Sequence, residues 1–190
     1  AYGDGVDLFS FKGSVETLLR ELRITNVKFE ACTDNASYHP GRCACVYAGE
    51  TLLGVFGQIH PLVAANYGVD SEIYTAELSF EAMYEMRGGI PVYQPLPKFP
   101  AVTRDIAVVC DEAVTVGALE ESIRRGAKGL LKEVSLFDIY RGPGVADGKK
   151  SVAFNLVLRA DDRSLTGDEA DEDVQSILAA LSADHGAVLR

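Results

Sequence analysis

The sequence predicts an α+β protein made of two units, an antiparallel sheet unit followed by a ferredoxin-like βαββαβ unit. Two observations lead to this prediction: strand and helix patterns follow that order in the second half, and a proline-rich segment separates the halves. Residues 87–100, RGGIPVYQPLPKFP, contain four of the seven prolines. Because proline fixes φ and lacks an amide donor, we expect an extended connector here. We place the boundary between residues 90 and 91, giving domains 1–90 and 91–190.

The first half has the less regular patterns. Its predicted elements are, in order, a helix at 15–22, strands at 27–31, 43–47 and 52–59, a short helix at 61–67, a strand at 73–79 and a helix at 80–86. Residues 48–50 are expected to close a hairpin. The two His-Pro pairs, at 39–40 and 60–61, are expected to mark a turn and a helix start, because proline interrupts regular structure. An antiparallel sheet with flanking helices fits this order best.

The second half is more regular. Its predicted elements are strands at 103–110, 134–140 and 151–159, a helix at 116–126 after the first strand, a helix from Thr166 to about Gly186, and a closing strand at 187–189. Thr166 and Glu169 have the spacing of a capping box, and the apolar residues of 152–158 alternate onto one strand face. In a βαββαβ unit the two helices cover one sheet face and leave the other open.

The formal net charge of −10 argues against a general nucleic-acid binder, which would carry a basic field. Residues 1–95 hold 6 basic and 12 acidic side chains, whereas residues 96–190 hold 12 basic and 16 acidic ones. RNA binding would therefore need a local patch in the second half. No apolar run reaches about 18 residues, the length of a membrane span, and the first residues do not form a signal-peptide pattern. We expect a cytoplasmic chain with no membrane partner, and its start without methionine suggests a piece of a longer protein.

The cysteines and histidines do not predict a catalytic or metal site. Zinc sites usually need two closely spaced ligand pairs, and here Cys43 and Cys45 form a single C-x-C pair. His39 lies four residues before Cys43, so a His/Cys site is conceivable, but buried or idle thiols are the favoured interpretation. His39 and His60 have no nucleophile or third partner nearby in the sequence, and we expect no catalytic residues in this chain.

Six segments together resemble the bacterial phenylalanyl-tRNA synthetase beta subunit. They are FSFKGSVETLL (9–19), HPGR (39–42), GQIHP (57–61), KFPAVTRDIAVV (98–109), LFDIYRGPGVADGKKS (136–151) and RSLTGDE (163–169). The resemblance runs through the chain in register, and it covers the C-terminal part of that subunit. It implies that the first half is the truncated end of a class II synthetase-like catalytic module and that the second half is a ferredoxin-fold anticodon-binding domain.

The resemblance also implies a function. The chain would recognise the tRNA(Phe) anticodon and act as a subunit scaffold in the ligase that attaches phenylalanine to tRNA. In that family the alpha subunit performs the chemistry, within a heterotetramer of two alpha and two beta subunits. We therefore expect no aminoacylation by this chain alone. No cofactor is expected in this chain, whereas ATP and Mg²⁺ are expected for the full synthetase. For the HPGR segment, a structural role is favoured over a subunit contact.

The open face of the second sheet is the candidate RNA site. Alternation along the strand places Phe137 and Ile139 under the helices and Asp138 and Tyr140 on the open face. With the resemblance, Asp138 is expected to accept hydrogen bonds from the first anticodon base, Tyr140 to stack and Ser151 to add a polar contact. Three cations, at 141, 149 and 150, are expected to hold phosphates. The predicted tRNA-binding residues are Asp138, Tyr140, Arg141, Lys149, Lys150, Ser151, Asn155 and, as weaker candidates, Phe99 and Arg104.

Each of these residues also has a simpler interpretation. Asp138 can be a solvated surface carboxylate, Tyr140 an ordinary strand aromatic, and the Lys149-Lys150 pair a solvated hairpin loop. The alternative function is a ferredoxin-like ligand-sensing or assembly module without RNA binding, since a fold does not determine a function. That alternative predicts a ligand pocket on the helix side or between the domains, and it leaves the basic loop unexplained. An independent hydrolase would need a nucleophile–base pair that the sequence does not suggest.

The connector leads to the first testable prediction. Limited proteolysis should cut within residues 87–100 first and leave a stable C-terminal piece, because an extended proline-rich linker has few protecting hydrogen bonds. Mass spectrometry of a digestion time course identifies the cut sites. Early cleavage within residues 103–159 would show that the domain boundary is misplaced.

Overall fold

In the computed structural model, which describes residues 1–3 and 5–190, the chain divides into two units between Tyr93 and Gln94. The division lies within the proline-rich connector, where residues 87–101 form neither helix nor strand. In the described part of the chain, no helix is both long enough and apolar enough to cross a membrane.

The first unit is a four-stranded antiparallel sheet with flanking helices. Its elements are α1 (Leu8–Glu21), β1 (Val27–Ala31), β2 (Tyr38–Ala48), β3 (Thr51–Ile59), α2 (Pro61–Asn66), β4 (Tyr74–Leu78) and α3 (Phe80–Met86). The strands lie in sequence order, β1-β2-β3-β4. Val15 and Leu19 of α1 pack in one core with Val46, Leu53 and Phe56 of the sheet. The α+β prediction is confirmed for this unit.

Helix α1 begins earlier than the predicted start at residue 15. Asp7 Oδ1 accepts a hydrogen bond from the Ser10 amide at 2.7 Å, and Ser10 Oγ accepts one from the Asp7 amide at 2.9 Å. This reciprocal capping satisfies amide groups that the first helical turn leaves without partners. The helix therefore continues through Gly13, despite the low helix propensity of glycine.

The HPGR segment does not form the predicted turn. It lies inside β2, where the pairing with β3 shifts register between Tyr38 and Cys43. Pro40 cannot donate to a strand ladder, and a ladder irregularity is a position that tolerates proline. The second His-Pro pair behaves as predicted, since His60 is the N-cap of α2 and Pro61 is its first residue.

The second unit has the ferredoxin-like connectivity. Its elements are β5 (Val102–Asp111), α4 (Val116–Gly126), β6 (Leu131–Tyr140), β7 (Lys149–Leu158), α5 (Gly167–His185) and β8 (Val188–Leu189). All the strand pairs are antiparallel, in the order β6-β7-β5-β8. The predicted βαββαβ order is confirmed.

One face of this second sheet packs against both helices. Leu119 and Ile123 of α4 and Ile177 and Leu181 of α5 are fully buried. They share a core with strand residues that include Ile106, Val108, Val152, Phe154 and Leu156. Truncating one such side chain to alanine typically costs about 2–5 kcal/mol of unfolding free energy. This core determines which strand residues remain for the opposite face.

Phe137 does not join this core, contrary to the prediction. The register pairs Leu136 with Phe154 and Asp138 with Ala153, so Phe137 is an extra residue in β6. A bulge of this kind places two residues opposite one and disturbs the alternation of side chains. Phe137 is accordingly 59% exposed. Ile139 pairs with Val152 and packs against the core, as expected.

The start of α5 contains the predicted capping box. Glu169 Oε2 accepts from the Thr166 amide at 2.9 Å, and Thr166 Oγ1 accepts from the Glu169 amide at 3.3 Å. Arg163 Nη2 also donates to Glu169 Oε1 at 2.7 Å. The bond from the Thr166 amide, followed by that from Arg163, lowers the pKa of Glu169 from 4.5 to about 2.

We predict that Glu169→Gln flattens the acid dependence of stability. A carboxylate with a depressed folded-state pKa stabilises the fold above its unfolded pKa, and that contribution is lost as the pH falls from about 4.5 towards 2. Urea unfolding followed by circular dichroism at several pH values measures this loss. Glu172→Gln removes a carboxylate from the same helix outside the capping box and is the control. Equal acid dependence of the parent chain and Glu169→Gln would contradict the assignment.

Candidate nucleic-acid interface

The face of the second sheet opposite the helices carries short side chains at its centre. Antiparallel pairing sets its side chains in rows across β5, β7 and β6, and three successive rows are Asp105–Asn155–Ser135, Ala107–Ala153–Asp138 and Val109–Ser151–Tyr140. Ala107 and Ala153 give the middle row short side chains, whereas the rows on both sides carry polar or aromatic groups and Val109. The result is a shallow trough with Asp138 at its β6 end.

The polar side chains of the trough are held in different ways. Asn155 Nδ2 donates to Asp105 Oδ1 at 2.7 Å, which fixes the orientation of the amide. Asp138 is exposed. Ser151 is only 3% exposed, although its register position is on the open face. Of these three residues, Asp138 is the most exposed acceptor, and Asn155 is half-buried with its Nδ2 bound to Asp105.

Tyr140 stands at the β6 edge beside the loop that leads to β7. Its hydroxyl donates to the Pro143 carbonyl at 3.2 Å, which ties the phenol to that loop. A Cβ on Gly142 would lie 2.9 Å from the Tyr140 hydroxyl oxygen, so the close approach depends on glycine. The loop therefore fixes the position of the aromatic ring.

The predicted loop cations Arg141 and Lys149 are paired with acids at the end of β5. Arg141 binds Glu112 in a bidentate manner, with Nη2 to Oε1 at 2.6 Å and Nε to both oxygens at 3.1 Å. The bonds from Arg141 lower the pKa of Glu112. Lys149 Nζ lies 2.7 Å from Asp111 Oδ1. Exposed pairs of this kind contribute about 0.2–1 kcal/mol, so a phosphate can compete for either cation.

Three other predicted residues do not lie in the trough. Lys150 is 6% exposed, pairs with Cys110 on the helix-covered side, and donates through Nζ to the Glu112 carbonyl at 2.9 Å. Arg104 is two residues from Ile106 on β5, so its side chain is on the helix-covered face. Its Nε lies 2.8 Å from Asp171 Oδ1 of α5. Phe99 is half-buried in the connector before β5. The structure thus brings together Asp138, Tyr140, Ser151 and Asn155, with Arg141 and Lys149 at the loop.

Sequence reasoning missed one residue of this face, Arg190. Its amide donates to the Ala107 carbonyl at 2.9 Å, and its guanidinium carbon lies 4.9 Å from the centroid of the Tyr140 ring. Alternation along 188–190 could have placed Arg190 on the open face. The contact with Tyr140 depends on the order of the strands and has no local signal.

The two histidines of the first unit lie in a local hydrogen-bonded network. Their rings stack with centroids 6.3 Å apart, and each Nδ1 accepts a backbone amide, from Gly41 for His39 and from Leu62 for His60. Nearby, Arg42 Nη1 binds Gln58 Oε1 at 2.7 Å and Glu72 Oε1 at 2.9 Å. These contacts join the irregular part of β2 to β3 and to the segment before β4.

The cysteine side chains are poorly suited to nucleophilic chemistry. Cys32, Cys43 and Cys110 are buried, and Cys45 is half-buried. Burial, followed by the neighbouring Cys32, raises the pKa of Cys43 to about 12. The thiolate is the reactive form of cysteine, so such a pKa disfavours reaction near neutral pH. Within residues 1–3 and 5–190, no group of three or more His, Cys, Asp or Glu side chains has an arrangement that could hold a metal ion.

Comparison with known families assigns each unit to a domain. Residues 97–190 match the ferredoxin-fold anticodon binding domain, and residues 2–80 match the phenylalanyl tRNA synthetase beta chain CLM domain. The second unit, with its ferredoxin-like sheet and open trough, is thus in the class of anticodon-binding domains. The chain belongs to the phenylalanyl-tRNA synthetase beta chain family.

Curated relatives agree with this assignment. The chain is 44% identical over 97% of its length to a protein of Symbiobacterium thermophilum, 38% over 100% to one of Clostridium tetani and 39% over 97% to one of Bacillus subtilis. Each relative is named phenylalanine–tRNA ligase beta subunit. The aligned parts are 20%, 24% and 23% of those proteins, so the chain spans a fifth to a quarter of their length.

Proposed function

We propose that the second unit binds the anticodon of tRNA(Phe) through its open sheet face, as part of a phenylalanine–tRNA ligase. The observation that carries this proposal is the trough itself, in which the exposed Asp138 lies beside Tyr140 over a floor made by Ala107 and Ala153. Sheet faces that bind single-stranded RNA combine a flat floor with an aromatic ring on which a base stacks.

The trough suits guanine, the first base of the GAA anticodon. The Watson–Crick edge of guanine presents two N–H donors, and a carboxylate can accept both. Asp138 is the available acceptor in the middle row, and Tyr140 in the next row can stack on the same base. Asn155, whose Nδ2 is held by Asp105, contributes its carbonyl oxygen to the neighbouring row. Arg141 and Lys149 are positioned to contact phosphate after exchange of their acidic partners.

The first unit is proposed to act as a subunit scaffold. Its histidine and arginine contacts are internal, and its match is to a beta chain CLM domain. The proposed partner is the alpha subunit, in a heterotetramer of two alpha and two beta subunits located in the cytoplasm. ATP and Mg²⁺ serve the complete ligase.

The alternative is a ligand-sensing or assembly module without RNA binding. A depression on the helix side of the second unit is lined by Lys128, Asp168, Asp171, Glu172, Gln175 and Ser176. Small-molecule pockets are mostly lined by apolar side chains and enclose their ligand, whereas this depression is lined by charged and polar residues and is open to solvent. The helix side therefore offers less support for a ligand site than the open face offers for RNA.

We predict that Asp138→Ala weakens binding to a GAA anticodon stem-loop and relaxes selectivity against a changed first base. A base contact of this kind is worth about 1–3 kcal/mol, so selectivity should fall by about fivefold to about 150-fold. Fluorescence anisotropy with both stem-loops measures the change. We expect weak absolute affinity in an acidic chain that is part of a longer protein, so the ratio of the two dissociation constants is the informative quantity.

Glu133→Ala is the matched control for Asp138. Glu133 is an exposed carboxylate on the same strand, and its partner Val157 is two positions along β7 from Asn155. Its removal changes the charge equally and should leave the selectivity unchanged. If Asp138→Ala retains the selectivity of the parent chain, the carboxylate is solvated surface and does not read a base.

We predict that Glu112→Gln strengthens binding to all stem-loops and steepens its salt dependence. The substitution removes the ion pair that holds Arg141, and the freed guanidinium can bind phosphate. Exposed pairs are worth up to about 1 kcal/mol, which corresponds to a gain of about two- to fivefold at low salt. Titrations at 50 and 200 mM salt test this, with Glu133→Gln as a control that removes a charge without releasing an arginine. Equal gains in the two variants would show that only the net charge matters.

A further inference from the structure

Arg190 and Tyr140 form a bridge over the open face of the second sheet. Arg190 continues β8 beside β5, because its amide donates to the Ala107 carbonyl at 2.9 Å. Tyr140 lies on β6, at the opposite edge of the sheet. The Arg190 guanidinium carbon is nevertheless 4.9 Å from the centroid of the Tyr140 ring. The two side chains must therefore extend towards each other above the strands between them.

The bridge spans the surface that is proposed to bind RNA. Neighbouring strands are about 4.8 Å apart, so β8 and β6 are separated by about 14 Å. The side chains between the two edges in the nearest rows are Ala107, Val109, Ala153 and Ser151, none of which is long. Ser151 is 3% exposed, which fits a position beneath a cover. A base in the trough needs the ring face of Tyr140 that the guanidinium covers.

Within the described residues, no side-chain carboxylate forms an ion pair with Arg190. Arg141 and Lys149 bind Glu112 and Asp111, and Lys150 donates to a backbone carbonyl on the helix-covered side. The guanidinium of Arg190, by contrast, contacts the Tyr140 ring.

A contact between Arg190 and a phosphate is more favourable than the contact between Arg190 and the Tyr140 ring. A cation–π contact at an exposed site is worth about 0.5–1 kcal/mol. A guanidinium–phosphate contact is charge-assisted and bidentate, which makes it the stronger of the two. A nucleobase can stack on the same phenol ring in place of the guanidinium. The exchange therefore replaces a weak contact by two others without leaving the ring uncovered.

We propose that Arg190 is a phosphate-binding residue of the RNA face. In the free chain its guanidinium lies over Tyr140, and it binds a phosphate of the anticodon loop when a base stacks on the ring. The proposal rests on the proposed function of the trough. It assigns to Arg190 a role in affinity for the RNA backbone, separate from the role of Asp138 in base selectivity. Movement of Arg190 also uncovers Ser151.

The test uses the full 190-residue chain, the GAA stem-loop and a stem-loop with a changed first base, at 50 and 200 mM salt. Each phosphate contact to a single strand contributes about 0.7 to the slope of log affinity against log salt. Arg190→Ala should therefore bind both stem-loops more weakly at 50 mM, and its deficit relative to the parent chain should shrink by about threefold at 200 mM. Its selectivity for the first base should stay unchanged. Arg190→Lys keeps the charge and should keep the salt slope of the parent chain.

Arg124→Ala is the matched control, because Arg124 is an exposed arginine on α4, on the helix side of the same unit. An equal effect of Arg124→Ala and Arg190→Ala would overturn the proposal in favour of a general charge effect. So would unchanged binding by Arg190→Ala. Tighter binding by Arg190→Ala at both salt concentrations would show that Arg190 only shields Tyr140, and would also overturn it. If the parent chain does not prefer the GAA stem-loop, the proposed function and this inference both fail, whereas selective parent binding with an unaltered Arg190→Ala refutes the inference alone.

Discussion

The pairing of β5 with β7 is the constraint on which the second unit depends. Ten residue pairs follow one another without a shift, from Val102–Leu158 to Asp111–Lys149. Because side chains alternate between the faces of a strand, this register places Val108 and Val152 under the helices. A slip by one residue would expose the core and bury the polar face at the same time. The trough therefore does not need a separate stabilising device, since the apolar core already specifies its register.

Electrostatics then limit how this face can attract RNA. The acids that end β5 pair with Arg141 and Lys149 of the neighbouring loop, in a chain of net charge −10. Long-range attraction of phosphates is therefore weak. Recognition must depend on close contacts, namely stacking, hydrogen bonding to a base edge and a few phosphate pairs formed by exchange. Such a surface suits a domain whose RNA is delivered to it by the rest of a larger protein.

The features that could be predicted from the sequence are those with local signals. The order of elements in the second unit and the Thr166–Glu169 capping box follow from periodicity and short spacings. The position of Lys150 on the helix-covered face could also have been predicted, because Lys150 is two residues from the buried Val152 on the same strand. The ion pair of Arg141 with Glu112 and the contact of Arg190 with Tyr140 could not, because they join residues that only the fold brings together. The irregular register at HPGR could not be predicted either, because it depends on the pairing of β2 with β3.

The bulge at Phe137 determines on which face of the sheet Asp138 lies. Val134 and Leu136 pair with Leu156 and Phe154, which gives both of them positions on the helix side of β6, where Val134 is buried and Leu136 is 39% exposed. In a regular strand Asp138 would then follow Leu136 onto that same side, away from the open face. The extra residue reverses the alternation, so that Asp138 pairs with Ala153 on the open face while Ile139 returns to the core. Bulges re-aim side chains in this way beside functional sites. The alternation of residues 137–140 indicated the correct face for Asp138, but the physical cause is the insertion, which exposes Phe137 in exchange for presenting a carboxylate and an aromatic ring on one surface.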